Sequence, residues 1–206
     1  MAPLVAHVLR DFDRHGTFLN RLIRYTKADL VEGDFATGLY VDTGMTVRGL
    51  CVAALSQSDN VAANLLLKLT GGPDGLTSFL RGLGDNITRV DRNEPSVNSA
   101  IPADVRDTTT PRAIAADFSR LLLGHGLSPT DRAQLRLWME EDLVNIARFR
   151  AGIPEDWSIA DKTGTGDYGV ANDVGVVWTQ RETPLTIAVL TTRATPDARP
   201  SRPGVR

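Results

Sequence analysis

The stretch WSIADKTGTG, residues 157–166, marks the point at which the chain changes from a helical to an extended pattern. Residues 157–161 have the β-like composition of a short strand, and the sequence Lys-Thr-Gly follows directly on it. Two further β-like runs, residues 175–178 and 185–192, are separated by turn-like residues. The sequence therefore predicts an antiparallel meander from residue 157 onward.

The chain ahead of this stretch is predicted to be mainly helical, because apolar residues recur at spacings of three and four. Thr110-Pro111 and Ser128-Pro129 each pair a capping hydroxyl with a proline suited to the first helical position. Asp74 is a third predicted cap, and Thr46 a fourth. The predicted helices cover residues 4–12, 47–55, 61–69, 74–83, 111–123 and 130–141. Helices followed by an antiparallel meander predict an α+β fold.

Three units are predicted along the chain. Residues 1–145 form a helical domain and residues 146–193 supply the strands of an α/β domain. Residues 194–206 are rich in Pro, Arg, Ala and Ser without a period, which predicts a disordered tail. Within the first unit, residues 92–107 have no regular period, and a loop of that length inside a compact domain is usually functional.

The composition argues against several classes of function. Twenty-three basic and 25 acidic side chains among 206 residues give a net charge of −2, with no basic stripe for nucleic acid. No run of about 18 uncharged apolar residues predicts a membrane span. The single cysteine, Cys51, is predicted to be a small buried residue, and three scattered histidines predict no metal site. Residues 1–11 lack the pattern of a signal peptide, so the sequence alone leaves the compartment open.

Two groups of polar residues in the helical half are candidates for chemistry. Residues 58–60, Ser-Asp-Asn, lie at a break between helices, where a hydroxyl and a carboxamide can face a cleft. Glu94 and Asn98 are four residues apart, so one helical turn would bring carboxylate and amide together to hold a water. Taken alone, the first group is also explained as helix caps, and the second as solvated residues of a polar loop.

A third and a fourth candidate lie near the predicted strands. Residues 162–166, Lys-Thr-Gly-Thr-Gly, offer a cation, two hydroxyls and glycines that allow a ligand close to backbone amides. Arg150 could supply a second positive charge for a substrate carboxylate. The ordinary alternatives are a glycine-rich turn and a surface arginine.

The order and spacing of these motifs together resemble the class A serine β-lactamases. Residues 44–47, 58–72, 107–111 and 161–173 carry further likeness, which spans roughly residues 4 to 193. The resemblance implies a serine β-lactamase/transpeptidase-like fold and hydrolysis of penicillins or cephalosporins through an acyl-serine intermediate. It also implies a monomer with a small-molecule β-lactam as partner, no cofactor, and a periplasmic or secreted location.

The resemblance also implies roles for individual residues. Ser58 would pass a proton to the departing lactam nitrogen, and Glu94 would activate the deacylating water as general base. Lys162 would supply positive potential. The groups that would contact the substrate or its water are Asn60, Asn98, Thr163, Gly164, Thr165 and Arg150, with the Thr165 amide as one oxyanion-hole donor.

The chain departs from this family in one large respect, since none of Lys27, Lys68 and Lys162 has a serine three residues before it. The Ser-x-x-Lys nucleophile motif is therefore absent, and the resemblance places Met1 at about the motif's lysine. We expect a truncated β-lactamase that lacks N-terminal strands and a C-terminal helix and is inactive alone. Smaller departures fall at Gly33, at Asn93 and over residues 140–145.

Two alternatives stay open from the sequence. One is a non-catalytic remnant that keeps the helical half without turnover. The other is a penicillin-binding transpeptidase-like fragment, against which Glu94 argues, because transpeptidases with related motifs lack such a water-activating carboxylate.

Overall fold

A computed structural model describes residues 1–13, 16–141, 147–181 and 183–199 of the chain. Helices and a small antiparallel sheet make up these residues, which confirms the predicted α+β fold class. The helices are α1 (Ala2–His7), α2 (Val47–Ser56), α3 (Asn60–Leu69), α4 (Gly72–Gly82), α5 (Pro111–Leu122), α6 (Pro129–Glu140) and α7 (Phe149–Gly152). The strands are β1 (Leu22–Ile23), β2 (Met45–Thr46), β3 (Ser158–Gly166), β4 (Val170–Trp178) and β5 (Pro184–Val189).

The helices begin where capping side chains occur in the sequence. The hydroxyl of Thr46 accepts from the Gly49 amide at 3.1 Å, and Thr110 and Ser128 cap α5 and α6 in the same way. The predicted cap Asp74 is corrected by the structure, because α4 begins two residues earlier behind Gly71 and Asp74 lies in its first turn. Gly71 has a φ of 89°, in the left-handed region that glycine adopts without strain.

Helix α1 lies at the centre of the helical domain, packed against α2, α3, α4, α5 and α6. Its residues are buried on every side, and a π-helical turn, Val8–Phe12, continues it. This differs from the amphipathic helix expected over residues 4–12, because a central helix has no face left for solvent.

Strands β3, β4 and β5 form an antiparallel meander in that order, as predicted. Strand β3 extends to Gly166, so Lys-Thr-Gly lies within the strand rather than after it. Strand β4 begins at Val170, five residues before the expected run. The sequence did not predict this start, because the polar residues Asn172 and Asp173 interrupt the apolar pattern of the strand. Helix α6 packs against β3, which brings the helical domain to the edge strand of the sheet.

The predicted units at the end of the chain are described in part. Residues 194–199 return to the β3–β4 turn, where the amide of Tyr168 donates to the carbonyl of Pro196 at 2.9 Å. The disordered tail expected over residues 194–206 stays a prediction, and residues 200–206 lie outside the described residues. So does the predicted domain boundary at residues 145–146. Within the described ranges, no helix has the length and apolarity needed to cross a membrane.

Candidate active site

The break between α2 and α3 faces the edge strand β3. Ser58, in the break, has a φ of 55°, a conformation that a non-glycine residue adopts at some cost in free energy and that occurs often at functional sites. The Lys162 ammonium donates to the Ser58 hydroxyl and, at 3.1 Å, to the Thr163 carbonyl. Tertiary folding thus joins two motifs that lie 104 residues apart.

Asp59, between the two polar candidates of residues 58–60, anchors the loop that precedes α2. Its fully buried carboxylate accepts from the amides of Ala36 at 2.8 Å and Thr37 at 2.9 Å. The same carboxylate caps α3 by accepting from the Ala62 amide at 2.8 Å. The alternative explanation as a helix cap therefore holds for Asp59, which frees its neighbours to face the cleft.

Asn60, two residues after Ser58, is hydrogen-bonded to the backbone of residues 32 and 33. Its side-chain amide donates to the Glu32 carbonyl at 2.7 Å, and its backbone amide donates to the Gly33 carbonyl at 2.9 Å. Gly33 has a φ of 89°, and a Cβ there would lie 2.7 Å from Asn60 Nδ2. A residue with a side chain at position 33 would therefore displace the Asn60 carboxamide.

Glu94 and Asn98 meet as their spacing predicts. The Asn98 side-chain amide donates to the Glu94 carboxylate at 2.5 Å, within a loop whose residues Ser96–Asn98 form a 3₁₀ turn. Burial raises the pKa of Glu94, while the Asn98 hydrogen bond and the positive charge of Lys162 act in the opposite direction. The carboxylate therefore lies close enough to Lys162 to belong to the same cleft.

Asn64 is a site residue that the sequence reasoning missed. Its side chain, one helical turn beyond Asn60 on α3, holds the Glu94 backbone through two hydrogen bonds. The spacing of four residues from Asn60 was a signal that could have identified it. At the far end of the turn, the Asn98 carbonyl accepts from the Asp167 amide at 3.0 Å. The loop is thus fastened to α3 on one side and to the β3–β4 turn on the other.

The structure places Arg150 away from the cleft, which corrects the role expected for it. Its guanidinium forms an ion pair with the fully buried Asp161 at 2.9 Å and donates to the carbonyls of Met139 and Glu140. Asp161 lies on β3 and the two carbonyls lie at the end of α6, so Arg150 joins α6 to the strand. None of the hydrogen bonds of this guanidinium in the described residues goes to residues 162–166.

Arg148, two residues earlier, is the arginine that reaches the Lys-Thr-Gly segment. Its guanidinium donates to the Gly164 carbonyl and the Thr165 hydroxyl, each at 2.8 Å, and to the Asn172 carbonyl. Burial lowers the pKa of Arg148, and the nearby Asp173 carboxylate opposes that effect. Thr165 is exposed and Gly164 is half-buried, so this end of the cleft presents a hydroxyl, a guanidinium and the ammonium of Lys162.

A cavity of about 460 Å³ opens between the loop that carries Glu94 and Asn98 and the β3–β4 hairpin, with Asn98, Gly164 and Thr165 in its lining. No group of three or more His, Cys, Asp or Glu residues in the described part of the chain is arranged to hold a metal ion. Cys51 is buried inside the helical domain, where burial raises the pKa of its thiol well above the usual range.

Comparison with known proteins identifies relatives over nearly the whole chain. The model of the beta-lactamase enzyme family matches residues 2–203. The chain is 50% identical over 198 residues to a β-lactamase of Streptomyces lavendulae and 51% identical over 198 residues to one of Streptomyces fradiae. These matches cover 94% of this chain but 65% of each relative, so the chain spans about two thirds of their length.

Solved structures show the same likeness. The crystal structure of a β-lactamase from Desulfarculus baarsii superposes with a TM-score of 0.95 at 44% identity, over 98% of this chain and 75% of that one. The β-lactamase of Streptomyces albus G also superposes with a TM-score of 0.95, at 46% identity, over 98% of this chain and 77% of that one.

Proposed function

Because this chain belongs to the β-lactamase enzyme family, we propose that it carries the substrate cleft of a class A serine β-lactamase. Such an enzyme opens the β-lactam ring of penicillins and cephalosporins through an acyl-serine intermediate, which water then hydrolyses. The observation that supports this proposal best is the meeting of three separate segments at one cleft. These are Ser58, the Glu94–Asn98 pair, and Lys162 on β3.

Glu94 is proposed to be the general base of deacylation. Its carboxylate is half-buried and accepts a hydrogen bond from Asn98. Burial raises the pKa of Glu94, which makes the carboxylate a stronger base. A water beside it would lose a proton to the carboxylate as the water oxygen attacks the acyl ester. The proton then passes from Glu94 to the serine oxygen that leaves.

Ser58 and Lys162 are proposed to serve acylation. The hydrogen bond from the Lys162 ammonium orients the Ser58 hydroxyl. Ser58 can then relay a proton, because it donates one to the lactam nitrogen as the ring opens and regains the one that the attacking serine loses. The positive charge of Lys162 also favours a substrate carboxylate at this end of the cleft. Asn60, whose carboxamide donates to the Glu32 carbonyl, is proposed to contact the substrate side-chain amide.

Arg148, in place of Arg150, is proposed to bind the carboxylate of the substrate together with Thr163 and Thr165. The Arg148–Thr165 contact of 2.8 Å puts guanidinium and hydroxyl side by side, which suits a planar carboxylate. The exposed position of Thr165 on the edge strand β3 also supports its backbone amide as an oxyanion donor.

The acylating serine is not among the 206 residues, because no Ser-x-x-Lys occurs in them. We therefore propose that this chain binds β-lactams without turning them over. Removing the nucleophile of a comparable constellation lowered kcat by about 10⁶-fold in a well-studied hydrolase.

Hydrolysis of a chromogenic cephalosporin by two purified proteins tests this function. One is the 206-residue chain. The other, the chimera, is this chain preceded by the N-terminal residues of the Streptomyces albus G relative, whose chain is longer than the part matched here. We expect hydrolysis by the chimera alone. Hydrolysis by the 206-residue chain would overturn its proposed inactivity, and a folded but inactive chimera would overturn the hydrolase proposal. The matched control is the chimera with Glu94→Gln, which should acylate and then stall.

A further inference from the structure

Asp173 is a buried carboxylate that the proposed mechanism does not use. It lies on β4 opposite Thr163, with 3% of its surface exposed. One carboxylate oxygen accepts from the backbone amide of Phe149 at 3.0 Å. Asp173 therefore connects strand β4 to the first residue of the short helix α7.

Residues 148–150 are held by three different contacts to the sheet. Arg150 forms its ion pair with Asp161, and the Phe149 amide donates to Asp173. Arg148 reaches Gly164 and Thr165 with its guanidinium. The middle contact acts on the backbone immediately after Arg148, so it determines where the Arg148 side chain begins.

We propose that Asp173 is a positioning residue of the carboxylate subsite, acting through Arg148 on the affinity for an anionic substrate group. By accepting the hydrogen bond from the Phe149 amide, Asp173 keeps the Arg148 backbone in the position from which the guanidinium contacts Thr165. This inference rests on the proposed function for its ligand, but the placement of Arg148 is testable without one.

Burial raises the pKa of Asp173, while the hydrogen bond from Phe149 and the positive charge of Arg148 oppose that rise. The Asp173 carboxylate attracts the Arg148 guanidinium and so opposes the effect of burial on that group. Lys162 and Arg148 in turn act on Asp173, which places all three charges within electrostatic reach. A side chain that only filled space would have neither the acceptor for Phe149 nor the charge for Arg148.

Four variants of the full chain separate positioning from a general structural role. They are Asp173→Ala, Asp173→Asn, Arg148→Ala and the double variant of Asp173→Ala with Arg148→Ala. The carboxamide oxygen of Asn can accept the Phe149 amide hydrogen, so Asp173→Asn is the conservative rescue. Asp173→Ser, which shortens the acceptor but stays polar, replaces Asp173→Ala if the latter fails to fold.

The first measurement is NMR without ligand, following the Nη–Hη signals of Arg148 and hydrogen exchange of the Phe149 amide. We expect both to be protected in the unmodified chain and in Asp173→Asn, and both to lose protection in Asp173→Ala. Unchanged protection in Asp173→Ala, with the protein folded, would overturn the positioning role.

The second measurement is the dissociation constant for benzylpenicillin and for its methyl ester, which lacks the carboxylate. We expect Asp173→Ala to weaken benzylpenicillin binding about tenfold and to leave the ester unaffected, with no further loss in the double variant beyond Arg148→Ala. Additive losses, or equal losses for both ligands, would overturn action through Arg148. If the unmodified chain binds neither ligand, the proposed function and the effect on affinity both fail, while the NMR result still decides the positioning.

Discussion

Asn64 holds the backbone of Glu94 from both sides: its side-chain oxygen accepts from the Glu94 amide at 2.8 Å, and its side-chain nitrogen donates to the Glu94 carbonyl at 2.9 Å. The general base proposed for deacylation is thus positioned by a helix as well as by its own loop. This matters because side chains on rigid elements hold catalytic groups more accurately than loops do.

Replacing Asn64 by Ala should release the loop that carries Glu94. Two half-buried backbone groups would lose their partner, which should cost about 1–3 kcal/mol of the free energy of unfolding. Hydrogen exchange over residues 92–98 should speed up in the same variant. Lys68→Ala, an exposed change one turn further along α3, is the matched control. Equal exchange in both variants would contradict a role for Asn64 in holding the loop.

Replacing Glu94 by Gln in the chimera should leave acylation intact and slow deacylation. The carboxamide keeps the contact with Asn98 but cannot take a proton, so the loss in turnover should be about 10²- to 10⁴-fold. Mass spectrometry after brief exposure to benzylpenicillin should show the acyl-enzyme accumulating. The exposed acid Glu155, changed to Gln, is the control that should turn over normally. Absence of the adduct in active Glu94→Gln protein would argue against the base assignment.

The two neighbouring arginines should separate stability from binding. Arg150→Ala leaves the fully buried Asp161 without its ion-pair partner, which should cost about 3 kcal/mol or more of the free energy of unfolding. Arg148→Ala should cost less stability, because its acceptors lie at the half-buried and exposed edge of β3, but should weaken β-lactam binding. Urea denaturation and calorimetric binding measure the two effects, and a reversed ranking would refute the assignment.

The stability of the chain should carry a pH dependence that comes from Asp117 on α5. Burial raises the pKa of Asp117 to about 7, and the neighbouring Asp85 adds to the rise while Arg120 opposes it. Since an unfolded Asp has a pKa of about 3.9, the folded chain binds a proton between about pH 4 and 7 that the unfolded chain has released. This contribution to stability is therefore complete at low pH and is lost as the pH rises toward 7.

Asp117→Asn is the variant that tests this pH dependence. The carboxamide is neutral at every pH, so the stability of this variant relative to the unmodified chain should improve between pH 5 and pH 8. Urea denaturation at both pH values measures the difference. Parallel profiles for the two proteins would show that Asp117 does not keep its proton in the folded state.

Much of the fold was predictable because its signals are local. The hydroxyls of Thr46, Thr110 and Ser128 cap the helices that follow them, since a cap needs only the next few residues. The Glu94–Asn98 contact was predictable for the same reason, because one helical turn brings residues four apart together. The start of β4 was not, because the polar residues Asn172 and Asp173 interrupt the apolar pattern of the strand.

The sequence by itself determined the order of helices and strands, the motifs at residues 58–60 and 162–164, and the family likeness, because all of these are written in residue type and spacing. Only the tertiary structure decided which of two arginines faces the cleft. Arg148 and Arg150 are equivalent in charge and reach, and residues two apart in a helical turn point in different directions. The buried carboxylate of Asp161 pairs with Arg150, because a buried charge needs a partner of opposite charge. The hydrogen bond from the Phe149 amide to Asp173 leaves Arg148 beside Thr165.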